Sequence, residues 1–321
     1  MGKVLTAFRE VVLIFLLAFA FPLQAYNAKS MGSLLSDPPT AISYRHFVVR
    51  NFLFFDGHRG IYESHWQNSS RKDSYHSYRY QFQGFFGLND FFDVSLFSQF
   101  YFNNQGRYAY CNVGDLTVGL DFQLLEDDRY LFFPGIKFAV REIFPLGHYQ
   151  LFNPKRAEME KTGSGCFSTQ FALFLYKQYL FFPNWLLSTT LAMQYQFNSW
   201  VSVKGLHSYG GGFGTNGKIW VGHSWQSLVN MQIFYKNSLF FSLDGLYEHM
   251  DASPFYGHPG LSFYGTYCNT HQPSSERVSL APSLGYQCPS GIGIMIGNWF
   301  SLCGRNAEQF SQYAANLFYI F

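Results

Sequence analysis

Apolar and polar side chains alternate with a period of two along most of this chain. The clearest run covers residues 185–198, where Leu187 and Leu191 lie on one face and Ser188 and Gln194 lie on the other. Such alternation is typical of a β-strand with one face against lipid or a core and the other against water. A strand of roughly ten residues is long enough to cross a bilayer at a tilt.

Twelve segments carry this pattern, and turn sequences separate them. They are 42–55, 75–86, 91–102, 113–125, 130–143, 165–177, 185–198, 218–236, 239–250, 277–287, 290–301 and 311–321. The connections alternate between short and long, which is typical of a barrel with short periplasmic turns and longer outer loops. The sequence therefore predicts an all-β fold, a transmembrane antiparallel up-and-down β-barrel of about 12 strands within residues 26–321.

Two of these segments affect the strand count. The first, 42–55, alternates less regularly than the others. The segment 218–236 is too long for one ordinary strand, so it holds a bulge, projects beyond the membrane, or is two strands. Because two strands would break the alternation of short and long connections, we count it as one. Fourteen strands is the alternative.

The N-terminus has the pattern of an export signal. Lys3 and Arg9 form a short basic region, and the apolar run 11–23 follows it. This run is too short for a comfortable transmembrane helix, and Ala25 supplies a small residue at the expected cleavage point. We therefore predict a cleaved signal peptide over residues 1–25. An uncleaved anchor helix is the alternative.

The C-terminal strand ends on an aromatic residue. Phe321 is the last residue, and Tyr319 and Leu317 precede it at alternate positions. This ending resembles the closing strand that the outer-membrane assembly machinery of Gram-negative bacteria recognises. We expect these three residues to act as an assembly signal, with the barrel-assembly machinery and outer-membrane lipid as partners. The expected location is the bacterial outer membrane.

Composition agrees with a membrane barrel. Aromatic residues make up 21% of the 321 residues and charged residues only 13%, whereas the mean hydropathy is −0.06. After the predicted signal there is no apolar stretch of roughly 20 residues, which argues against membrane helices. The net charge of +2 gives no reason to expect a nucleic acid partner. A large soluble all-β protein is the competing class, because alternation alone does not exclude it.

Four spaced segments resemble motifs of one family of outer-membrane proteins. They are 87–90 with 93–96 (GLND and DVSL), 114–120 (GDLTVGL), 134–147 with 162–165 (PGIKFAVREIFPLG and TGSG), and 304–307 (GRNA). The family is named for the meta-pathway of phenol degradation, and its members are described as transporters. The loop at Pro145 departs from the family pattern because it lacks the usual Thr, and Cys166 follows the TGSG stretch.

The resemblance implies a channel-like barrel that passes small solutes, hydrophobic or aromatic ones among them. The predicted function is therefore a porin-like outer-membrane channel for passive passage of small molecules. A structural or adhesive outer-membrane protein without transport activity is the alternative. No cofactor is expected.

Charged residues fall on the face of the predicted strands that points away from lipid. They are Arg79, Asp93, Asp121, Lys137, Arg141, Asp244, Glu248 and Arg277. A basic side chain facing lipid near the bilayer midplane would cost roughly 2–4 kcal/mol, so we expect these groups to face the lumen. They either line an aqueous pore or pair with one another as structural ladders across a closed lumen.

Two His–Ser dipeptides, 207–208 and 223–224, invite comparison with barrel phospholipases. Adjacent residues on a strand point to opposite faces, so neither dipeptide forms a nucleophile–base pair by itself. The ten His show no metal-like spacing. We therefore predict no enzymatic activity and no metal site.

Five cysteines follow the predicted signal, an odd count that leaves at least one outside any intramolecular disulfide. Cys111, Cys166, Cys268 and Cys303 are predicted near the outer loops, and Cys288 at the opposite end. Pairing among the first four is geometrically possible, and the sequence does not choose between pairs and free thiols.

Overall fold

A computed structural model describes residues 31–70, 76–105, 108–127 and 133–320. Its strands are β1 (Phe47–Tyr62), β2 (Asn68–Ser70), β3 (His76–Gly87), β4 (Phe92–Gln105), β5 (Tyr108–Val113), β6 (Leu116–Leu125), β7 (Gly135–Phe144), β8 (Ser168–Phe182), β9 (Trp185–Asn198), β10 (Trp200–Lys204), β11 (Asn216–Trp220), β12 (Ser224–Tyr235), β13 (Leu239–Met250), β14 (Phe255–His258), β15 (Ser275–Gln287), β16 (Ile292–Arg305) and β17 (Ala307–Ile320). One helical turn, α1 (Ala157–Glu160), lies between β7 and β8. Within the described ranges no helix is long and apolar enough to cross a membrane.

Twelve of these strands form a closed antiparallel barrel. Its order is β1, β3, β4, β6, β7, β8, β9, β12, β13, β15, β16 and β17, and β17 pairs with β1. The closing ladder runs from Val48–Ile320 to Tyr62–Ala307. The predicted all-β fold with 12 strands is confirmed. The short strands β2 and β5 are additional, since they pair only with β1 and β4.

Because apolar and polar residues alternate, the wall strands present mainly apolar side chains to the outside of the barrel and most of their polar ones to the lumen. Leu53, Leu284, Ile296 and Leu317 point outward and are each about half exposed. The long connections gather at one end of the barrel, called the outer end here, and the short turns at the other, the periplasmic end. Since closure of the barrel leaves no free sheet edge, every wall strand has a neighbour on both sides.

The segment 218–236 is two strands, not one. Its first part belongs to β11, and its second part is β12 of the wall. However, β11 lies outside the barrel, in a three-stranded sheet with β10 and β14. The alternation of short turns and long loops therefore holds, because the extra strand belongs to a loop.

We call the β10–β11–β14 sheet and its loops the outer cap. Val201, Val203 and Ile219 form its apolar centre together with Tyr209 and Cys166. This small core explains why the long loops fold into an ordered structure above the barrel.

The first wall strand is displaced from its predicted position, 42–55, to Phe47–Tyr62. Residues before Phe47 turn at the periplasmic rim, where Arg45 N–H donates to the Gly87 carbonyl at 3.0 Å, and then enter the lumen. The predicted signal peptide 1–25 and the terminal Phe321 lie outside the described residues. Tyr319 and Leu317 lie in β17.

Candidate functional site: the barrel lumen

We call residues 31–46 the inner segment: it occupies the lumen up to Ile42, and its exposed residues 44–46 turn at the periplasmic rim. Met31, Leu34 and Ile42 are buried among inward-facing aromatic rings. Those rings include Phe52, Phe54, Phe85, Phe234, Phe240 and Phe318. Inward-facing Phe residues would be poorly placed against water, and the inner segment gives them an apolar partner.

One wall of the lumen holds the start of the inner segment through β13 and β1. Asp244 accepts hydrogen bonds from Ser33 Oγ at 2.5 Å and from the Leu35 N–H at 3.2 Å. Arg50 is fully buried and donates to the carbonyls of Ser33 and Ser36, the latter at 3.0 Å. A carboxylate and a guanidinium therefore satisfy the irregular backbone that would otherwise lack partners.

Strands β4, β6 and β7 hold the rest of the inner segment. Asp93 accepts from the Ile42 N–H at 2.9 Å, and Gln123 accepts from the Ala41 N–H at 2.8 Å. Lys137 Nζ donates to the Pro38 carbonyl at 2.5 Å. Together with the contacts on β13 and β1, they fix the segment to several strands around the barrel.

Asp37 of the inner segment joins a buried charge group on the wall. Its carboxylate lies 2.8 Å from Arg141 Nη1. Asp121 lies 3.0 Å from Lys137 Nζ and 3.4 Å from Arg141 Nη2, and the side chains of these three wall residues are at most 3% exposed. Buried charges are tolerated when they are paired in this way. The group therefore couples the inner segment electrostatically to β6 and β7.

All eight charged residues that the sequence assigned to the lumen face it. Five of them, Asp93, Asp121, Lys137, Arg141 and Asp244, are buried and hold the inner segment or one another. The other three lie nearer the outer end. Arg79 stacks on Phe54 and donates to Gln312, and Arg277 pairs with Glu248 at 2.6 Å. A pore-lining role for these residues stays a prediction.

Sequence reasoning missed Arg50 and Asp37. Arg50 alternates with Val48 and Phe52 on the inward face of β1, so a correct register for that strand would have found it. Asp37 lies in an irregular stretch without periodicity, and nothing in the sequence indicates that this stretch enters the lumen.

Above the inner segment lies a polar cavity, the outer vestibule. Its volume is about 590 Å³, and Gln196, Gln226, Glu248, His249, Arg277 and Asn306 are among its lining residues. A second cavity of about 290 Å³ lies below, at the periplasmic end, lined in part by Thr40, His46 and Glu126. Small-molecule sites measure roughly 300–1,000 Å³, so the vestibule could admit a small solute. The inner segment separates the two cavities.

The His–Ser dipeptides are placed separately from the lumen charges, in and beside the outer cap. Ser208 Oγ donates to the Gly163 carbonyl, and His223 Nδ1 accepts from the Asn198 N–H. Burial lowers the pKa of His207 to about 4, so this imidazole is neutral at physiological pH. Among the described residues no group of three His, Cys, Asp or Glu could hold a metal ion. All five cysteines are described, and each is a free thiol.

No model of a known protein family matches the sequence, and no curated protein matches it. Among solved structures, an outer membrane channel from Pseudomonas putida F1 is similar, with a TM-score of 0.67 at 10% identity over 90% of this chain and 100% of that chain. A mutant of the TodX monoaromatic hydrocarbon channel gives 0.46 at 12% identity over 94% and 96%, and the NanC porin gives 0.41 at 12% identity over 83% and 98%. The first similarity supports the outer-membrane barrel fold.

Proposed function

We propose that this chain is an outer-membrane channel for passive passage of small solutes. One observation carries the proposal: below the outer vestibule the lumen is filled by the inner segment, which takes no part in the ladders of the wall. The inner segment continues covalently into β1, and elsewhere hydrogen bonds, ion pairs and packing hold it. It can therefore leave the lumen without breaking the ladders of the barrel.

The expected solutes are hydrophobic or aromatic. If the inner segment moved away, the lumen below the vestibule would present the faces of Phe52, Phe85, Phe240 and Phe318. Aromatic rings stack favourably on other aromatic rings, and the buried charges that hold the inner segment lie beside them. This lining supports a route for small, flat apolar molecules.

We also propose that the protein lies in the bacterial outer membrane and belongs to the phenol meta-pathway family. Alternation on the wall, the C-terminal pattern and the export-signal pattern support the bacterial outer membrane, with lipid and the assembly machinery as partners. The four motifs support the phenol meta-pathway family. A structure of this fold is described as an outer membrane channel, which is consistent with the proposed function.

A structural or adhesive protein is the second candidate. The observation that favours it is the inner segment itself, since charged and apolar contacts on both sides hold it in the lumen. A barrel that never opens would need this internal core only for stability.

Flux measurements separate the two candidates. The refolded full-length protein would be placed in liposomes with lipopolysaccharide in the outer leaflet, because a plain phospholipid bilayer passes toluene unaided. Entry of toluene, glucose and small ions would be compared with protein-free liposomes. Asp244→Ala removes the acceptor for Ser33 and Leu35, and Glu63→Ala, which removes an exposed carboxylate outside the vestibule lining, is the matched control.

We expect the wild-type protein to admit toluene in preference to glucose and ions. Asp244→Ala should raise flux roughly tenfold, because a hydrogen bond to a charged group contributes about 1.5–3 kcal/mol and 1.4 kcal/mol is one factor of ten. Entry of glucose and ions at similar rates would indicate a general porin. No flux from either protein, with the barrel shown to be folded, would contradict the channel function and leave the structural candidate.

A further inference from the structure

A shallow groove lies on the lipid-facing surface of β1, β17, β16, β15 and β13. Its lining includes the small residues Pro282, Gly297 and Ala315, together with Ala314, which is buried on the lumen side of the wall. Large apolar residues form its rims, namely Leu53, Phe55, Phe241, Leu284 and Ile296. Pro282 lies at the centre of β15, so the groove lies at mid-height of the wall, within the hydrocarbon layer of a membrane.

The β15–β16 ladder is interrupted under this groove. Pairing stops at Leu280–Phe300 and resumes in the same register at Ser283–Gly297. Pro282 has no N–H to donate, and proline is rare within central strands for this reason. In hydrocarbon no water replaces a missing hydrogen bond, so the interruption is costly where it lies.

The missing donor faces β16 and not β13. On the other side of β15 the ladder with β13 runs unbroken through Leu243–Pro282. On the other side of β16 the ladder with β17 runs unbroken through Asn298–Tyr313. We call the line along which β15 and β16 pair the β15–β16 seam. It also carries a register shift between Val278 and Ser279, toward the outer end. The interruption at Pro282 and this register shift therefore both lie between β15 and β16. The unbroken ladders with β13 and β17 hold the two strands from their other sides.

The lumen side of the seam carries the small buried residues Ser279, Ala281 and Ser283. A Cβ on Gly297 would come within 2.7 Å of the Pro282 carbonyl oxygen and 3.2 Å of Leu34 Cδ2, so the inner segment lies directly behind the wall. Trp299 covers the interruption from inside, opposite the fully buried Ala281. Its ring lies 4.9 Å from that of Phe310.

The seam also adjoins the outer vestibule. Phe310 carries the Arg277 guanidinium over its ring at 4.6 Å, and Arg277 lines the vestibule. Phe310 and Trp299 thus form a continuous aromatic path from the vestibule to the seam. Below this level the inner segment blocks the axis of the barrel. An apolar solute beside Trp299 is therefore separated from lipid only by the wall at β15 and β16.

We propose that the β15–β16 seam is a lateral exit through which a small aromatic solute passes between the lumen and the hydrocarbon layer of the membrane. This inference rests on the proposed channel function and adds, for apolar solutes, a lateral route that does not require the inner segment to leave the lumen. The seam is closed in this structure and opens by separation of β15 from β16 around Pro282. Trp299 is the inner gate, and the groove receives the solute outside.

A lipid-anchored probe tests this route without using the axial one. The full-length protein would be placed in liposomes containing a phospholipid with an aryl diazirine at the end of one acyl chain. The head group cannot enter the lumen, so the aryl ring can reach Leu34 or Met295 only through the wall. After photolysis, mass spectrometry would compare label on these two residues with label on Leu284 and Ile296 in the groove.

We expect label on both sides of the wall in the wild-type protein. Pro282→Val supplies the absent N–H, and it should lower label on Leu34 and Met295 roughly fivefold, the equivalent of one net backbone hydrogen bond. Leu280→Val, on the same face of the same strand but outside the groove lining, is the matched control and should leave lumen-side label unchanged. Trp299→Ala removes the inner gate and should raise lumen-side label. This variant provides a second test if Pro282→Val fails to fold.

Label confined to the groove residues in the wild-type and Trp299→Ala proteins would overturn the lateral exit and leave a groove that only holds lipid. Equal lumen-side label in wild type and folded Pro282→Val would also overturn it. The labelling experiment and the flux measurement can fail independently of each other. Lumen-side label without toluene flux would support an opening seam and contradict transport, whereas flux without lumen-side label would support an axial route.

Discussion

At the scale of single residues, Asp121 holds together the buried charges of the lumen. Its carboxylate is the wall partner of both Lys137 and Arg141, and all three side chains are shielded from solvent. Arg141 has a second partner in Asp37, and Lys137 has the Pro38 carbonyl. Both of those partners belong to the inner segment, so the state of the wall charges and the position of the segment are linked.

Asp121→Ala should lower the free energy of unfolding by about 3–5 kcal/mol, because removing one partner leaves buried cations uncompensated. Urea unfolding in lipid vesicles, followed by the mobility of the folded barrel on unheated gels, measures the loss. Adding Lys137→Met to Asp121→Ala should recover part of it, since an apolar chain of similar length replaces the orphaned ammonium. A loss below about 1 kcal/mol for Asp121→Ala would mean that these charges remain hydrated.

At the scale of elements, the inner segment is a stretch without regular secondary structure that functions as part of the core. Its backbone finds partners on side chains of the wall, among them Asp244, Arg50 and Asp93, and its apolar side chains complete the packing of inward Phe rings. Buried irregular backbone is stable only where such partners exist. The wall polar residues are therefore matched to this segment.

Gly87 controls where the inner segment leaves the wall. A Cβ at this position would lie 2.0 Å from the Ser43 carbonyl oxygen, so Gly87→Val should displace the end of the segment from the rim of β3. We expect higher ion conductance and faster tryptic cleavage after the exposed Arg45. Gly57→Val is the matched control, because a Cβ there meets only ordinary contact, 3.5 Å from the Ser311 carbonyl oxygen. Unchanged cleavage and conductance in Gly87→Val would show that the segment does not move from this end.

At the scale of the whole molecule, the barrel has two layers along its axis. The outer half contains water-accessible charged and amide groups, and the outer cap folds above it around its own small core. The lower half is filled by the inner segment and aromatic side chains. Closure by the β1–β17 ladder involves neither the inner segment nor the cap.

A chain that begins at residue 44 should therefore still form a closed barrel. Its mobility on unheated gels should match that of the full chain, and its conductance should be higher because water fills the lumen. We expect lower stability, since burial of Met31, Leu34 and Ile42 contributes about 1.5–3 kcal/mol for each side chain. Failure of the shortened chain to close, under conditions in which the full chain does, would show that the inner segment is required to assemble the wall.

Most of the wall could be read from the sequence because lipid and lumen impose a period of two on every strand. The segments 185–198 and 239–250 match β9 and β13 residue for residue. The segment 218–236 could not be assigned correctly, because a loop strand and a wall strand follow each other with only three residues between them. Periodicity does not say which sheet a strand joins.

The sequence by itself determined the barrel, the number of its wall strands and the charges that face inward, since these follow from local alternation and from the cost of charge in lipid. Only the tertiary structure decided what those charges do. Asp93, Lys137, Arg141 and Asp244 bind a segment that lies 51 to 211 residues away along the chain. The weakness of the seam at Pro282 is likewise visible only once β16 is known to be its neighbour. Such contacts depend on which strands meet and in which register, and no local pattern encodes them.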